Sequence, residues 1–174
     1  MTQTILAYSC GLALFLTTAA HANIDVRFSE GAPKDRFTIS NQGSCTLKDV
    51  TIDLDLSKSQ GKLIFDITAA GAGVEVFQPF EVTEGKLKLA PNSQVNDGDS
   101  KMSLSIESLD PGGRASFTID VDDTLPVSAL GMIRVAGSEI EGGTVTVKVG
   151  EMKPKVASFN ASSNATVLLS PCPQ

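Results

Sequence analysis

The chain has 174 residues and a formal net charge of −6, with 14 Lys and Arg against 20 Asp and Glu. It contains one His, one Tyr and no Trp. Basic residues scattered singly along an acidic chain make no footprint for nucleic acid or for an anionic membrane surface. Divalent cations are the natural counterions of such a surface.

Residues 5–16 (ILAYSCGLALFL) are apolar and uncharged, and Ala20-His21-Ala22 places small residues at both specificity positions of a signal-peptidase site. Residues 1–22 therefore read as a secretory signal, although Met1 to Thr4 carry no Lys or Arg. The run is short for a bilayer span. A buried N-terminal strand and a membrane anchor are the alternatives; lipid attachment at Cys10 would follow a poor lipobox, Ala7-Tyr8-Ser9. Cleavage would remove His21, Tyr8 and Cys10, leaving a mature chain without His, Tyr or Trp. Most general acid–base catalysis, His-based metal ligation and aromatic sugar platforms would then lack their usual residues. No later stretch approaches 18 apolar residues, so no transmembrane segment is expected after cleavage. Residues 23–174 suit one domain that buries roughly 68–70% of its unfolded surface.

Period-two alternation recurs along that domain. Ile24, Val26 and Phe28 alternate with Asp25, Arg27 and Ser29, and Val50, Ile52, Leu54 and Leu56 with Thr51, Asp53 and Asp55. The same pattern holds around Leu104 and Ile106, around Phe117, Ile119 and Val121, and around Val145, Val147 and Val149. Each set puts one apolar face inward and one polar face in water, as antiparallel strands do. Turn signals separate the runs at Glu30–Pro33, Asn41–Gly43, Gly71–Gly73, Asn96–Asp99, Asp110–Gly113 and Glu141–Gly143. The pattern predicts an all-β fold, a single antiparallel β-sandwich over residues 23–150. A short helical turn is possible near Val127 to Leu130. After the Lys153-Pro154-Lys155 joint, residues 151–174 read as a terminal strand, or as a partly ordered tail.

Two cysteines follow the signal, Cys45 and Cys172. In an oxidising compartment a disulfide between them is the default; free or metal-binding thiols are the alternative.

Candidate chemistry rests on carboxylates. Asn96-Asp97-Gly98-Asp99 places a D-x-D pair on a sharp turn, where two carboxylates could meet one calcium ion. Asp120-Val121-Asp122-Asp123 ends a strand, with Asp120 and Asp122 expected on the solvent face and Asp123 in the following loop. Asp97, Asp99, Asp120, Asp122 and Asp123 are thus the candidate calcium ligands, against the simpler reading of solvated turn and strand residues. Asp53 and Asp55 form another outward pair. No EF-hand spacing occurs. Glycoside hydrolysis would need two carboxyl groups about 5–9 Å apart across a sugar cleft, but the mature chain offers no Trp or Tyr for stacking. Ser or Cys nucleophiles lack a His base, and Gly71-Ala72-Gly73 is no phosphate loop, since no Lys-Ser/Thr follows. Asn160-Ala161-Ser162 and Asn164-Ala165-Thr166 fit the glycosylation sequon. No catalytic residues are assigned, and the chain is not expected to be an enzyme.

A series of phrases runs in order from Arg27-Phe28-Ser29-Glu30-Gly31-Ala32-Pro33-Lys34-Asp35-Arg36-Phe37 through Asn41-Gln42-Gly43-Ser44-Cys45, Ile64-Phe65-Asp66 and Gly73-Val74-Glu75-Val76-Phe77-Gln78-Pro79-Phe80. It continues with Asp97-Gly98-Asp99, Phe117-Thr118-Ile119-Asp120-Val121-Asp122-Asp123-Thr124 and Gly137-Ser138-Glu139-Ile140. Over residues 24–149 the chain resembles small exported proteins named after the marine sponge aggregation factor core protein, and their wreath-like domain in particular. The resemblance implies an extracellular module of cell–cell or matrix adhesion that self-associates or meets an extracellular glycan or protein. Sponge aggregation depends on calcium, and the family's Asp-Gly-Asp and Asp-Val-Asp-Asp phrases correspond to the acidic residues named above. Glu30, Asp35 and Arg36 could serve an interface or a strand-to-strand turn. The expected address is secreted, cell-surface or periplasmic. The competing readings are a periplasmic or envelope structural or ligand-binding protein without an adhesion role, and, more remotely, a carboxylate-based hydrolase.

Overall fold

The computed structural model describes residues 22–71, 78–126, 135–169 and 172. Residues 1–21 of the expected signal, the Val74–Phe77 run and the helical turn expected from Val127 to Leu130 lie outside the described residues.

Eleven strands and one 3-10 turn (Gly137–Ile140) make up the described regular structure. In chain order the strands are β1 (Asn23–Ser29), β2 (Asp35–Asn41), β3 (Leu47–Asp55), β4 (Ile64–Asp66), β5 (Glu81–Glu84), β6 (Leu87–Leu89), β7 (Lys101–Leu109), β8 (Arg114–Asp122), β9 (Thr144–Val149), β10 (Lys155–Ser158) and β11 (Asn164–Leu168). They form two antiparallel sheets packed face to face, an all-β sandwich. The first runs β11-β1-β2-β8-β4, and the second β10-β9-β3-β7-β6. On the free edge of β8, β4 pairs with residues 120–122 and β5 with residues 116–118.

The alternation read from the sequence is the packing. Ile24, Val26 and Phe28 of β1, Phe37 and Ile39 of β2, and Phe117, Ile119 and Val121 of β8 face Val50, Ile52 and Leu54 of β3, Leu104 and Ile106 of β7, and Val145, Val147 and Val149 of β9; all are buried. Phe37 centres an aromatic cluster: its ring stacks on Phe117 (5.0 Å between centroids, 10° between planes), tilts against Phe28 at 5.0 Å and meets Phe159 edge-on at 6.5 Å.

Strands β3 and β7 depart from simple period two at the same place. The β3–β7 register runs unbroken from Leu47 opposite Leu109 and Lys48 opposite Ser108 to Val50 opposite Ile106, which sets Asp49, at φ 51°, across from Glu107. Two successive residues on each strand face outward there, Lys48 and Asp49 on β3 and Glu107 and Ser108 on β7, while Leu47, Val50, Ile106 and Leu109 stay in the core.

The first and last described strands pair in the first sheet. β11 pairs with β1, and Phe159, Ala165, Val167 and Leu169 are buried, so residues 155–169 complete the sandwich. The ladder begins at Ala22, whose carbonyl accepts the Leu169 N–H at 2.7 Å and whose side chain is buried. Beside this edge Cys45 and Cys172 form a disulfide with 6.1 Å between Cα atoms, the pairing expected from the sequence. Asn41, fully buried, fixes the turn that carries Cys45. Its Nδ2 donates to the carbonyls of Cys45 (2.8 Å) and Leu109 (2.9 Å), and its Oδ1 accepts the Gly43 N–H (2.9 Å). All of the side chain's main hydrogen-bonding groups are thereby used, which makes its burial tolerable.

Candidate functional site: a corner of buried carboxylates

The acidic residues singled out in the sequence fall around one end of β8, but they do different jobs. Asp99 closes its own turn: its Oδ2 accepts the Asn96 backbone N–H (2.7 Å) and side-chain amide (3.0 Å). Asp97 accepts the Ile67 N–H on Oδ1 at 3.1 Å, tying the 96–99 turn to the chain leaving β4. The backbones join as well, with Phe65 N–H donating to the Asp99 carbonyl (2.8 Å) and Gly98 N–H to the Phe65 carbonyl (2.9 Å). Gly98, at φ 80°, occupies the left-handed conformation this turn requires. β4 is therefore held between β8 on one side and the 96–99 turn on the other.

That enclosure corrects one expectation. Asp120 and Asp122 were expected in water, but Asp120 is half-buried and Asp122 is buried, as is Asp123. The alternation of β8 does point Asp120 and Asp122 away from the sandwich core. However, β4 pairs with this end of the strand and sets Asp66 opposite Asp120, and the acids there are withdrawn from water. Asp123 turns away from the others: its Oδ1 accepts the Leu125 N–H at 3.0 Å, while its Oδ2 is buried without a hydrogen-bond partner. Asp53 and Asp55 behave as surface groups: Ser103 Oγ donates to Asp53 (2.5 Å), and Lys101 pairs with Asp55 (3.0 Å). Among the described residues, no group of three or more His, Cys, Asp or Glu is arranged to hold a metal ion.

Two further aspartates define the corner. Asp35 opens β2 on the core side, almost wholly buried. Its Oδ1 accepts the Gly31 N–H and its Oδ2 the Val121 N–H, each at 3.0 Å. The carboxylate thus continues the β2–β8 ladder beyond the point where the backbone turns away through cis Ala32-Pro33. Lys34 pairs with Glu81 (3.1 Å) and Arg36 Nη1 donates to Thr83 Oγ1 (2.6 Å), both on β5. Asp35 is accordingly engaged in the turn, and Lys34 and Arg36 in seating β5, while Glu30 is exposed.

Asp66 is the residue the sequence reading passed over. It lies directly opposite Asp120 in the β4–β8 pairing, 1% exposed, and neither of its carboxylate oxygens has a hydrogen-bond partner. The signal was present: an acid ends the otherwise apolar Ile64-Phe65-Asp66-Ile67 run. Alternation places such a residue on the polar face without revealing that this face is covered.

The electrostatics follow from burial and like charge. Burial drives Asp66 from the ordinary aspartate value of 3.8 up to about 7, and the adjacent carboxyls of Asp97 and Asp122 push the same way. Asp35 also rises to about 7 through burial, despite its two amide donors, with Asp120 and Asp122 adding to the rise. Asp120 rises to about 6 through burial and Asp122, opposed by the Val121 amide and Lys34. These carboxyl groups are held near neutrality in their protonation, a property expected of buried like-charged acids.

No protein-family model matches this chain, and no curated protein matches it in sequence. Among the described residues, no helix is long and apolar enough to cross a membrane.

Proposed function

We propose that this chain is an exported β-sandwich module of adhesion, acting by self-association or by binding an extracellular glycan or protein. The observation that carries the reading is the disulfide joining residues 127 positions apart across a two-sheet sandwich. Disulfides persist in oxidising compartments, and rigid sandwiches are widely used as extracellular modules. The resemblance of the ordered phrases to those of aggregation-factor-core proteins supplies the adhesion part. An acidic composition with basic residues scattered singly along the chain agrees with a partner other than nucleic acid.

Sedimentation velocity on the purified protein across a hundredfold concentration range tests the self-associating form. Reversible growth of a larger species is expected. A monomer at every concentration, together with no retention on glycan arrays or on the surface of the native cells, would remove the adhesion reading and leave an envelope structural role.

A further inference from the structure

The outward face of the first sheet carries a hollow of about 330 Å³, at the small end of the range for ligand sites. Strand pairing sets its plan. Asp25, Ser40 and Arg114 form one row across β1, β2 and β8, and Asn164, Arg27 and Thr38 form the next across β11, β1 and β2. All six point away from the core, because they alternate with Val26, Ile39, Ala115 and Ala165, which are buried in it. The middle strand supplies only short hydroxyl side chains, while an arginine stands on the strand to either side. The hollow therefore has a hydroxyl floor and cationic walls, and no apolar side chain lines it.

Two features of this face point to a ligand. Arg27 and Arg114 are exposed and, among the described residues, neither is in an ion pair, whereas Lys34 and Lys101 are paired with acids. Two strand spacings, about 10 Å, separate their ladder positions, so both long side chains can reach one anion lying over β2. Asp25 is half-buried in the wall beside Arg27, and its Oδ1 is buried without a hydrogen-bond partner. An unmatched buried acceptor is unfavourable. Turning the carboxyl about its soft terminal torsion offers that oxygen to a donor in the hollow. The floor can donate as well: Thr38 Oγ1 accepts the Ser116 hydroxyl at 3.3 Å and so keeps its own proton for an outward acceptor.

We propose that this face binds a carboxylated sugar, with its carboxylate held by Arg27 and Arg114 and its hydroxyl groups by Asp25, Thr38 and Ser40. The guanidinium fork matches a carboxylate with two parallel hydrogen bonds. Sugar hydroxyls are both donors and acceptors, which suits an acceptor-only carboxyl group set beside two hydroxyls. An acidic peptide would bring more carboxylates against Asp25, and a fatty chain would find no apolar wall. The site rests on the glycan side of the adhesion reading and is independent of self-association.

The test titrates the purified protein, in EDTA and low salt, with methyl galacturonoside, its uncharged counterpart methyl galactoside, acetate and tetraglutamate, following amide and arginine Nε resonances by NMR. The galacturonoside should shift the Arg27 and Arg114 Nε signals and the Ser40 amide saturably and leave β3 and β9 amides unmoved. It should bind at least about tenfold more tightly than the galactoside, the difference a charge-assisted hydrogen bond makes. Both arginines are exposed, so Arg27→Gln and Arg114→Gln leave the core intact; each should weaken galacturonoside binding about tenfold. Asp25→Asn should weaken the galacturonoside but not acetate. Lys148→Gln removes the same charge from an exposed position on the second sheet and should change nothing. The proposal is overturned by unmoved arginine signals, by equal affinity for the galactoside, by equal weakening in Lys148→Gln, or by tighter binding of tetraglutamate, which would assign the face to an acidic protein segment. None of these results alters the sedimentation outcome, so self-association is judged apart.

Discussion

Replacing both Cys45 and Cys172 by serine opens a loop closed over 127 positions. On the chain-entropy account, cross-linking residues that far apart removes about 16–17 cal/mol/K from the unfolded ensemble, or about 5 kcal/mol at 25 °C. Domains of this size are typically stable by about 5–15 kcal/mol in total, so the bond accounts for a third or more of the margin. The folded side changes little by comparison. Both cysteines are partly buried against the core, and the strands they anchor retain their own ladders: β11 remains paired with β1, and Asn41 still holds the Cys45 turn. The loss should therefore appear mainly in the unfolded state. Urea unfolding of the protein with and without its disulfide, followed by circular dichroism, should show a drop of about 3–5 kcal/mol and a steeper denaturant dependence, because the freed chain expands further and exposes more surface. A change below about 1 kcal/mol with an unaltered slope would refute the reasoning, since the bond would then be closing a chain already held together when unfolded.

Phe37→Ala removes the ring that meets Phe28, Phe117 and Phe159 and should cost about 3–5 kcal/mol in urea unfolding; a loss under about 1.5 kcal/mol would mean the core collapses around the gap. Asn41→Ala strands the buried carbonyls of Cys45 and Leu109 and the Gly43 N–H and should cost about 2–3 kcal/mol, with exchange of the 43–46 amides rising first. In the unaltered protein the melting temperature should climb as pH falls from about 8 to 5, because Asp35, Asp66 and Asp120 all hold their protons more tightly when folded; thermal melts at pH 8, 6.5 and 5 that run the other way would contradict the burial of these groups.

How far the sequence reaches is visible strand by strand. Alternation depends on neighbours one and two residues away, so it names the inward face of β1, β3, β7, β8 and β9 without any tertiary information. Turn chemistry is equally local: Asp110-Pro111-Gly112-Gly113 joins β7 to β8 as its residue types require, and Gly112, at φ 71°, takes the left-handed conformation. The pairing of Cys45 with Cys172 also follows from the sequence once the compartment is supposed, since two cysteines allow one partner each. The C-terminal segment was harder to read, because its Ser, Asn and Ala content resembles a tail, yet Phe159, Ala165, Val167 and Leu169 supply the core contacts that place it in the sandwich.

By itself, then, the chain determines that there are strands, where most of them turn, and which of their faces is apolar, because these depend on the order of side chains along one strand. Whether a polar face meets water is decided by what another segment lays over it. Asp120 and Asp122 carry the same outward register as the exposed Asp53, but they lie at the end of β8 that β4 joins and are withdrawn from water. Asp66 and Asp97, 31 positions apart, become neighbours through those long-range pairings. Burial and the approach of like charges arise only when the chain closes on itself, so the properties that make this corner chemically distinct belong to the tertiary structure.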